Sequence, residues 1–568
     1  MIILILGNNA YSQLSFTESS TALGISVSYG DSFHGGGVSF VDFDNDGWDD
    51  LSFSSQENDN LYFFKNNNGT FVQITLNGVS NTEKTKQIVW VDYDNDGDKD
   101  LFIAVLEGSN KFYRNDGGLN FTDITSSIGF FQDDFPTYSA SFGDIDNDGD
   151  LDAFISIRDD DEVQRDYLYR NDSGVYVDIT ASAGIALTSE LSFCSIFFDY
   201  NDDGFQDIYV SNDKPSFINR LYKNNGDGTF DDVSISSGAG IDINAMTTTL
   251  GDYNNDGWFD IYVTNTPEGN ELLKNNGDGT FTNVARDSET EFNSVGWGAV
   301  FLDADLDGFE DLYVSGSLDG SNSSFLSAAF YHNQGDGTFT IPTNIGFADD
   351  TRESYSNAIG DIDNDGKPDI VVSNDTENNF LWKNETSTSN NWIKIKLEGT
   401  TGNRDGIGNK IEIKANGVSQ YRYTLCGEGY LAQNSTYKFV GVGNATNIEY
   451  IKVTWKHSGV VETINNLQPN QTITIQEGNG VLNTSETIAN SLSIFPNPSD
   501  DGLFNIHFNN SYSNKLVRVF DVSGRLLLSK KSTQQNDIID LTNYASGVYV
   551  VKISSKNNLL QVVKLIHL

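Results

Sequence analysis

Seven short strings of aspartate, asparagine and glycine have the composition and spacing of a hard-cation site. The first, DFDNDGWDDL, begins at residue 42, and its relatives begin at 92, 144, 199, 252, 303 and 361, at intervals of 50 to 58 residues. Each reads D-x-[DN]-x-D-G-x-x-D. A cation such as Ca²⁺ takes about six to eight oxygens, and a tight loop offers them from side chains at positions 1, 3, 5 and 9 and from the backbone carbonyl at position 7. The expected ligands of the first loop are therefore Asp42, Asp44, Asp46, Asp50 and the carbonyl of Trp48. The second gives Asp92, Asp94, Asp96, Asp100 and the carbonyl of Asp98; the third Asp144, Asp146, Asp148, Asp152 and that of Asp150. The fourth gives Asp199, Asn201, Asp203, Asp207 and the carbonyl of Phe205; the fifth Asp252, Asn254, Asp256, Asp260 and that of Trp258. The sixth gives Asp303, Asp305, Asp307, Asp311 and the carbonyl of Phe309; the seventh Asp361, Asp363, Asp365, Asp369 and that of Lys367. Up to seven Ca²⁺ would be held. The glycine at position 6 supplies the positive φ of a sharp turn. No long amphipathic helix flanks the strings, so they are hairpin loops.

Loops in phase need one supersecondary unit repeated. Apolar runs such as VSFV at 38–41 and IVWV at 88–91 precede the loops, and LSFS at 51–54 and LFIAV at 101–105 follow them. A third run (LYFFKN at 61–66, LYKN at 221–224) ends in a glycine-rich turn, and the Phe of each GTF string opens a fourth. Four antiparallel strands per repeat, seven times over, predict an all-β, seven-bladed β-propeller. The seventh repeat lacks its GTF strand, while SFTESSTALGI at 15–25 resembles NFTDITSSIGF at 120–130. The N-terminal strand is thus expected to close the ring, with two small β domains following.

The repeats at 13–390 resemble the FG-GAP/VCBS class of calcium-bearing propellers, found in integrin α-subunit heads and many secreted bacterial proteins. That resemblance implies cation loops on one face of the disc and ligand binding on the other. Residues 391–477 resemble the ASPIC/UnbV domain of cartilage acidic protein relatives, through Asn403-Arg404-Asp405-Gly406-Ile407-Gly408, Gly429-Tyr430-Leu431 with Gln433-Asn434, and Trp455 with Ser458-Gly459. Lys456 and Val442 depart from that family's pattern. Arg404 and Asp405 read as an ion-paired turn rather than a ligand site. After a polar linker at 478–490, residues 491–568 resemble the C-terminal sorting domain of type IX secretion, through Phe495-Pro496-Asn497-Pro498, Asp521 with Gly524, and Gly547-Val548-Tyr549. This resemblance implies partnership with the type IX secretion machinery and a protein that is secreted, extracellular or attached to the outer cell surface.

The apolar run at 2–6 and the Ala10-x-Ser12 spacing read as an export signal over residues 1–12. No stretch is long and apolar enough for a transmembrane segment. With 81 Asp plus Glu against 34 Lys plus Arg, the formal charge is −47, which excludes a nucleic-acid binder working through a basic groove. The expected ligands include the side chains of 26 of those acids. Cys194 and Cys426 read as buried small side chains rather than a disulfide. His34, Lys84, Asn244 and Glu353 fall where the innermost strands should open on the far face, although solvated rim residues are the plainer reading. No nucleophile, zinc-protease or phosphate-loop string occurs, so no catalytic residue is assigned. The sequence favours a calcium-stabilised, non-enzymatic binding or adhesion module for an extracellular glycan, protein or matrix ligand. The alternative is a carbohydrate-active, polysaccharide lyase-like enzyme on the same scaffold.

Overall fold

A computed structural model describes residues 13–485 and 492–568, apart from 33, 132, 323, 348–349, 496–497, 500–501, 509–514, 522–524, 533, 535 and 556–557. The expected export signal lies outside the described residues. Strand accounts for 45% of the described residues and helix for 2%, so the fold is all-β. Two compact units divide it, Met1–Thr484 and Ser485–Leu568.

In the first unit each repeat folds into one antiparallel sheet whose strands follow chain order. The first sheet runs Val38–Val41, Asp50–Phe53, Tyr62–Asn66, Phe71–Ile74. Five more sheets repeat the plan, beginning with Lys84–Val91, Thr137–Gly143, Ser192–Phe198, Thr248–Gly251 and Gly296–Leu302. The seventh contains Ser354–Gly360, Asp369–Asn374 and Phe380–Asn384, and its fourth strand is the N-terminal Phe16–Glu18. There Phe16 pairs with Asn384 and Glu18 with Trp382, antiparallel. Phe16 is held by the rings of Phe330 and Phe347, whose centroids lie 5.4 and 4.8 Å away.

The first strands are covered on both faces; all seven residues of Thr137–Gly143 (TYSASFG) are buried, its Thr and Ser side chains included. Each core is shared between neighbouring sheets. Phe43, Phe63, Trp90 and Tyr113 join the first to the second, and Leu302, Tyr313, Ile370 and Trp382 the sixth to the seventh. Phe40, Leu51, Ala358 and Val371 join the first to the seventh.

Residues beyond 390 add two sheets. One contains Lys438–Gly441, Trp392–Glu398, Gln471–Gln476 and Gly480–Ser485; the other contains Val418–Tyr423, Lys410–Ala415, Ile448–Thr454 and Val461–Leu467. Ile393, Ile395, Ile411, Ile413, Val453, Trp455 and Ile475 fill the space between them. The strand Gly480–Ser485 lies inside the segment expected to be a linker. Gly478 and Gly480, at φ 75° and 70°, turn the chain back on itself, and Val481 packs on this core.

The second unit has a three-stranded sheet (Leu492–Phe495, Leu503–Phe508, Asn536–Asp540) and a four-stranded one (Leu526–Ser532, Lys515–Asp521, Gly547–Ser555, Asn558–His567). Its core includes Phe504, Ile506, Val517, Val519, Ile539 and Val551.

Candidate cation loops and the segment that covers them

Every acidic string joins the first strand of a sheet to the second, and its ninth-position aspartate opens that second strand, as Asp50 and Asp100 do. In the first loop Asp42 accepts the Asp46 N–H on Oδ1 and the Gly47 N–H on Oδ2, both at 3.0 Å. Asp46 Oδ1 accepts the Trp48 N–H at 3.0 Å. Asp50 accepts the Asn66 N–H at 2.7 Å and the Phe43 N–H at 3.2 Å. The bonds to the first aspartate recur at Asp144, Asp199, Asp252, Asp303 and Asp361. The glycines at position 6 have φ from 86° to 100°, as expected. Position 4 is also left-handed: Asn45, Asn95, Asn147, Asp202, Asn255, Leu306 and Asn364 have φ from 56° to 61°. Asparagine tolerates this conformation, and leucine at 306 adopts it against its preference.

This folding turns carboxylates inward together. The oxygens of Asp42, Asp44 and Asp50 lie within 4.8 Å of one another, as do those of Asp92, Asp94 and Asp96, of Asp144, Asp146 and Asp152, and of Asp303, Asp305 and Asp307. Asp44 Oδ1, Asp92 Oδ1 and Asp260 Oδ2 are buried with no hydrogen-bond partner among the described residues. Burial pushes the Asp50 and Asp100 carboxyls up to about 9, with the neighbouring carboxylates adding to the shift. Asp144 and Asp252 are pushed up to about 7 for the same first cause. Converging, desolvated, oxygen-only donors of this kind fit a hard divalent cation, whose charge would offset their burial. Four lysines at the ends of third strands also reach the loop acids: Lys65 touches Asp44 and Asp46, Lys383 lies 2.9 Å from Asp363, and Lys223 and Lys274 lie 3.6 Å from Asp203 and Asp256. His332 holds that slot in the sixth sheet, with Nε2 3.6 Å from Asp305.

The residue after this slot was not singled out by sequence reasoning, yet it ties the sheets together. Asn171, Asn224, Asn275, Asn333 and Asn384 each donate Nδ2–H to the second-position carbonyl of the preceding loop, at 2.7–3.0 Å. Asn66 does the same to Ile362 of the seventh sheet, at 2.9 Å. The fourth-position asparagines bind forward: Asn45, Asn95, Asn147 and Asn255 donate to the glycine carbonyl of the next loop, and Asn364 donates to Gly47 of the first. The signal was present as a repeated [KRH]-N pair and an asparagine in five of the seven loops.

Residues 391–460 cover the loops with cations. Lys394, its side chain 1% exposed, lies 3.3 Å from Asp361, 3.8 Å from Asp49 and 2.8 Å from Asn364 Oδ1. Lys456 lies 2.7 Å from Asp199, and Lys410 lies 2.9 Å from Asp202 and 2.8 Å from the Gly257 carbonyl, bridging where the fourth loop has no asparagine. Arg422 pairs with Glu310 at 3.1 Å. Arg404 and Asp405 form ion pairs with Glu398 and Lys99. A second element enters the middle of the sheets. Gln433 exchanges two 2.8 Å bonds with the Trp90 backbone, Asn434 and Ser435 bond Ile359, Gly429 bonds Thr248, and the Cys426 carbonyl accepts the Phe142 N–H. Ala432–Gln433 adds a parallel strand beside Val38 and Ser39. One short segment thereby bonds the first strands of five sheets.

The FG-GAP-like repeat description matches residues 42–103, 92–155, 199–263, 252–314 and 318–372, together about half of the chain. The chain belongs to the FG-GAP-like repeat family. In this FG-GAP-like repeat protein the covering segment matches the ASPIC and UnbV domain over 399–482, and the C-terminal unit matches the secretion system C-terminal sorting domain over 493–567. The sorting domain marks the protein as secreted or displayed on the cell surface and as a client of the secretion machinery. Among the described residues no helix is long and apolar enough to cross a membrane. No curated protein matches the chain. Among solved structures, it is similar to the extracellular domain of the hybrid two-component system BT3049 from B. thetaiotaomicron (13% identity, 97% of this chain and 67% of that one, TM-score 0.40). It is also similar to the BP39L lectin from Burkholderia pseudomallei (10% identity, 62% and 97%, TM-score 0.40) and to BBS1N in complex with ARL6DN (9% identity, 65% and 97%, TM-score 0.41).

In the FG-GAP-like repeat protein, the residues expected to open on a far face make separate hydrogen bonds and ion pairs. His34 is buried, with Nδ1 2.8 Å from the Tyr138 hydroxyl and its ring against Phe193 and Trp297. Burial, helped by Arg158 and Lys86, drives its pKa down to about 2, so the ring is neutral. Tyr430 closes over it, donating to the His34 carbonyl at 2.8 Å. Lys84 lies 3.8 Å from Glu107, and Asn244 bonds Thr266. The rim cations are also engaged, Arg158 and Lys214 with Asp213 and Arg165 with Asp178. Cys194 and Cys426 are buried free thiols, as expected.

Proposed function

We propose that the seven sheets are blades of one β-propeller closed by the N-terminal strand, that residues 13–390 form it, and that the seven loops hold Ca²⁺ through the ligands named above. The protein then works outside the cell as a non-enzymatic binding or adhesion module for a glycan, protein or matrix ligand, with the ASPIC/UnbV-like segment as a fixed cover. The observation that carries this reading is the run of asparagine bonds from sheet to sheet, which returns from the seventh sheet to the first through Asn66 and Asn364 and passes through the loops themselves. A scaffold braced at its loops gains stability from cations and presents a rigid surface, as a binding module requires. The test is an array of glycans and matrix proteins probed with the full chain in millimolar Ca²⁺ and again in chelator. Retention of at least one ligand in Ca²⁺ and its loss in chelator is the expected result; the absence of any retained ligand overturns the binding reading.

A further inference from the structure

We infer that the groove between the fourth and fifth loops and the strands covering them is a subsite for a neutral sugar. This inference rests on the binding-module reading and names a place and a ligand class within it. The groove encloses about 430 Å³, within the range of about 300–1,000 Å³ typical of small-ligand sites. Trp258 and Tyr421 supply two half-buried rings. Both are seated on glycine: a Cβ at Gly277 would lie 2.6 Å from the Trp258 ring, and one at Gly257 would lie 3.3 Å from that of Tyr421. Rings fixed in this way lose little freedom when a pyranose face stacks on them.

Two of the groove's lysines sit in matched pairs, Lys410 with Asp202 and Lys452, 3.0 Å away, with Glu412. Lys456 turns instead to Asp199, an expected ligand of the fourth loop. The other Glu412 oxygen accepts the Tyr450 hydroxyl at 2.6 Å. An ammonium carries three N–H donors and a carboxylate accepts at several positions, so each pair keeps both kinds of capacity side by side. Neighbouring sugar hydroxyls, each at once donor and acceptor, match such a pair. A uronate or sulfated sugar would meet ammonium groups already committed to carboxylates, inside the field of a chain of formal charge −47. Charge therefore selects an uncharged sugar.

The experiment is an intrinsic-fluorescence titration of the full chain in millimolar Ca²⁺ with neutral gluco- and galacto-oligosaccharides and with polygalacturonate, repeated for Trp258→Ala and Lys452→Ala. Melting temperatures within about two degrees of wild type establish that the variants are folded. The inference expects saturable binding of a neutral oligosaccharide by wild type and at least a tenfold loss in both variants. Undiminished binding in the variants overturns the subsite while leaving the binding-module reading standing. Binding of polygalacturonate alone overturns the charge argument. No sugar bound by wild type overturns the inference, and retention of a matrix protein on the array would show that the broader reading survives it.

Discussion

Replacing Lys394 by methionine removes a buried cation while keeping the shape of its stem. Lys394, Asp361 and Asp49 are all essentially excluded from water, with side-chain exposures of 1%, 0% and 0%. Removing one partner of such a group leaves charge stranded, a change that costs about 3–5 kcal/mol. Asp49 keeps the Ser435 hydroxyl at 2.7 Å and the Asp361 N–H at 3.0 Å, which places the expected loss near the low end, about 3 kcal/mol. Burial already pushes the Asp49 carboxyl up to about 6 against the opposing pull of Lys394, so the variant drives it higher still, and part of the loss is the cost of the proton it then takes up. Urea unfolding at pH 7 in excess Ca²⁺, followed by tryptophan fluorescence, measures the loss. Adding Asp49→Asn removes one stranded charge and should recover about 1–2 kcal/mol, a coupling that the double-mutant cycle isolates. A single variant within about 0.5 kcal/mol of wild type, or strictly additive effects, would show that Lys394 does not hold these carboxylates.

Asn66→Ala leaves the Ile362 carbonyl without its bond from the first sheet and should cost about 1–3 kcal/mol in the same urea assay; an unchanged midpoint would contradict the bracing role. Burial raises the pKa of Glu477, but the Ser458 hydroxyl and the Thr401, Thr400 and Gly402 N–H groups outweigh it and hold the pKa at about 2. A depressed carboxylate contributes stability above its ordinary range and loses that contribution as pH falls from about 4.5 to 2. Glu477→Gln should therefore destabilise at pH 7 and approach wild type near pH 3, a convergence that paired urea melts at the two values will reveal or deny. Burial pushes the Cys194 thiol up to about 12 and that of Cys426 higher still, so both should resist iodoacetamide in the native protein and react in denaturant; rapid native labelling, read by intact mass, would contradict their placement.

The acidic loops and most strands were legible because both are local patterns. A nine-residue loop carries its own turn glycine, and alternating apolar runs declare strands whatever they pack against. The cover was not legible for a related reason. Trp392–Glu398, WIKIKLE, alternates as any half-buried strand does, and sequence alone assigns its lysines to water. The structure buries Ile393 and Ile395 in the covering domain and turns Lys394 onto loops more than 30 residues earlier and more than 340 residues earlier. His34 follows the same rule: a histidine where an innermost strand should open reads as a solvated rim residue, and its partner Tyr430 arrives from 396 positions away. The compact unit runs on past residue 390 to Thr484, and Cys426–Ser435 bonds the first strands of several sheets.

Ca²⁺ held in the seven loops would stabilise the scaffold, and melting the full chain across a series of free Ca²⁺ concentrations, from chelator to millimolar, reads that stabilisation. Each loop saturated at a hundredfold excess over its dissociation constant adds about 2.7 kcal/mol. The melting temperature should climb steadily with the logarithm of free Ca²⁺ and fall steeply in chelator. A melting curve that is the same in chelator as in millimolar Ca²⁺ would contradict it.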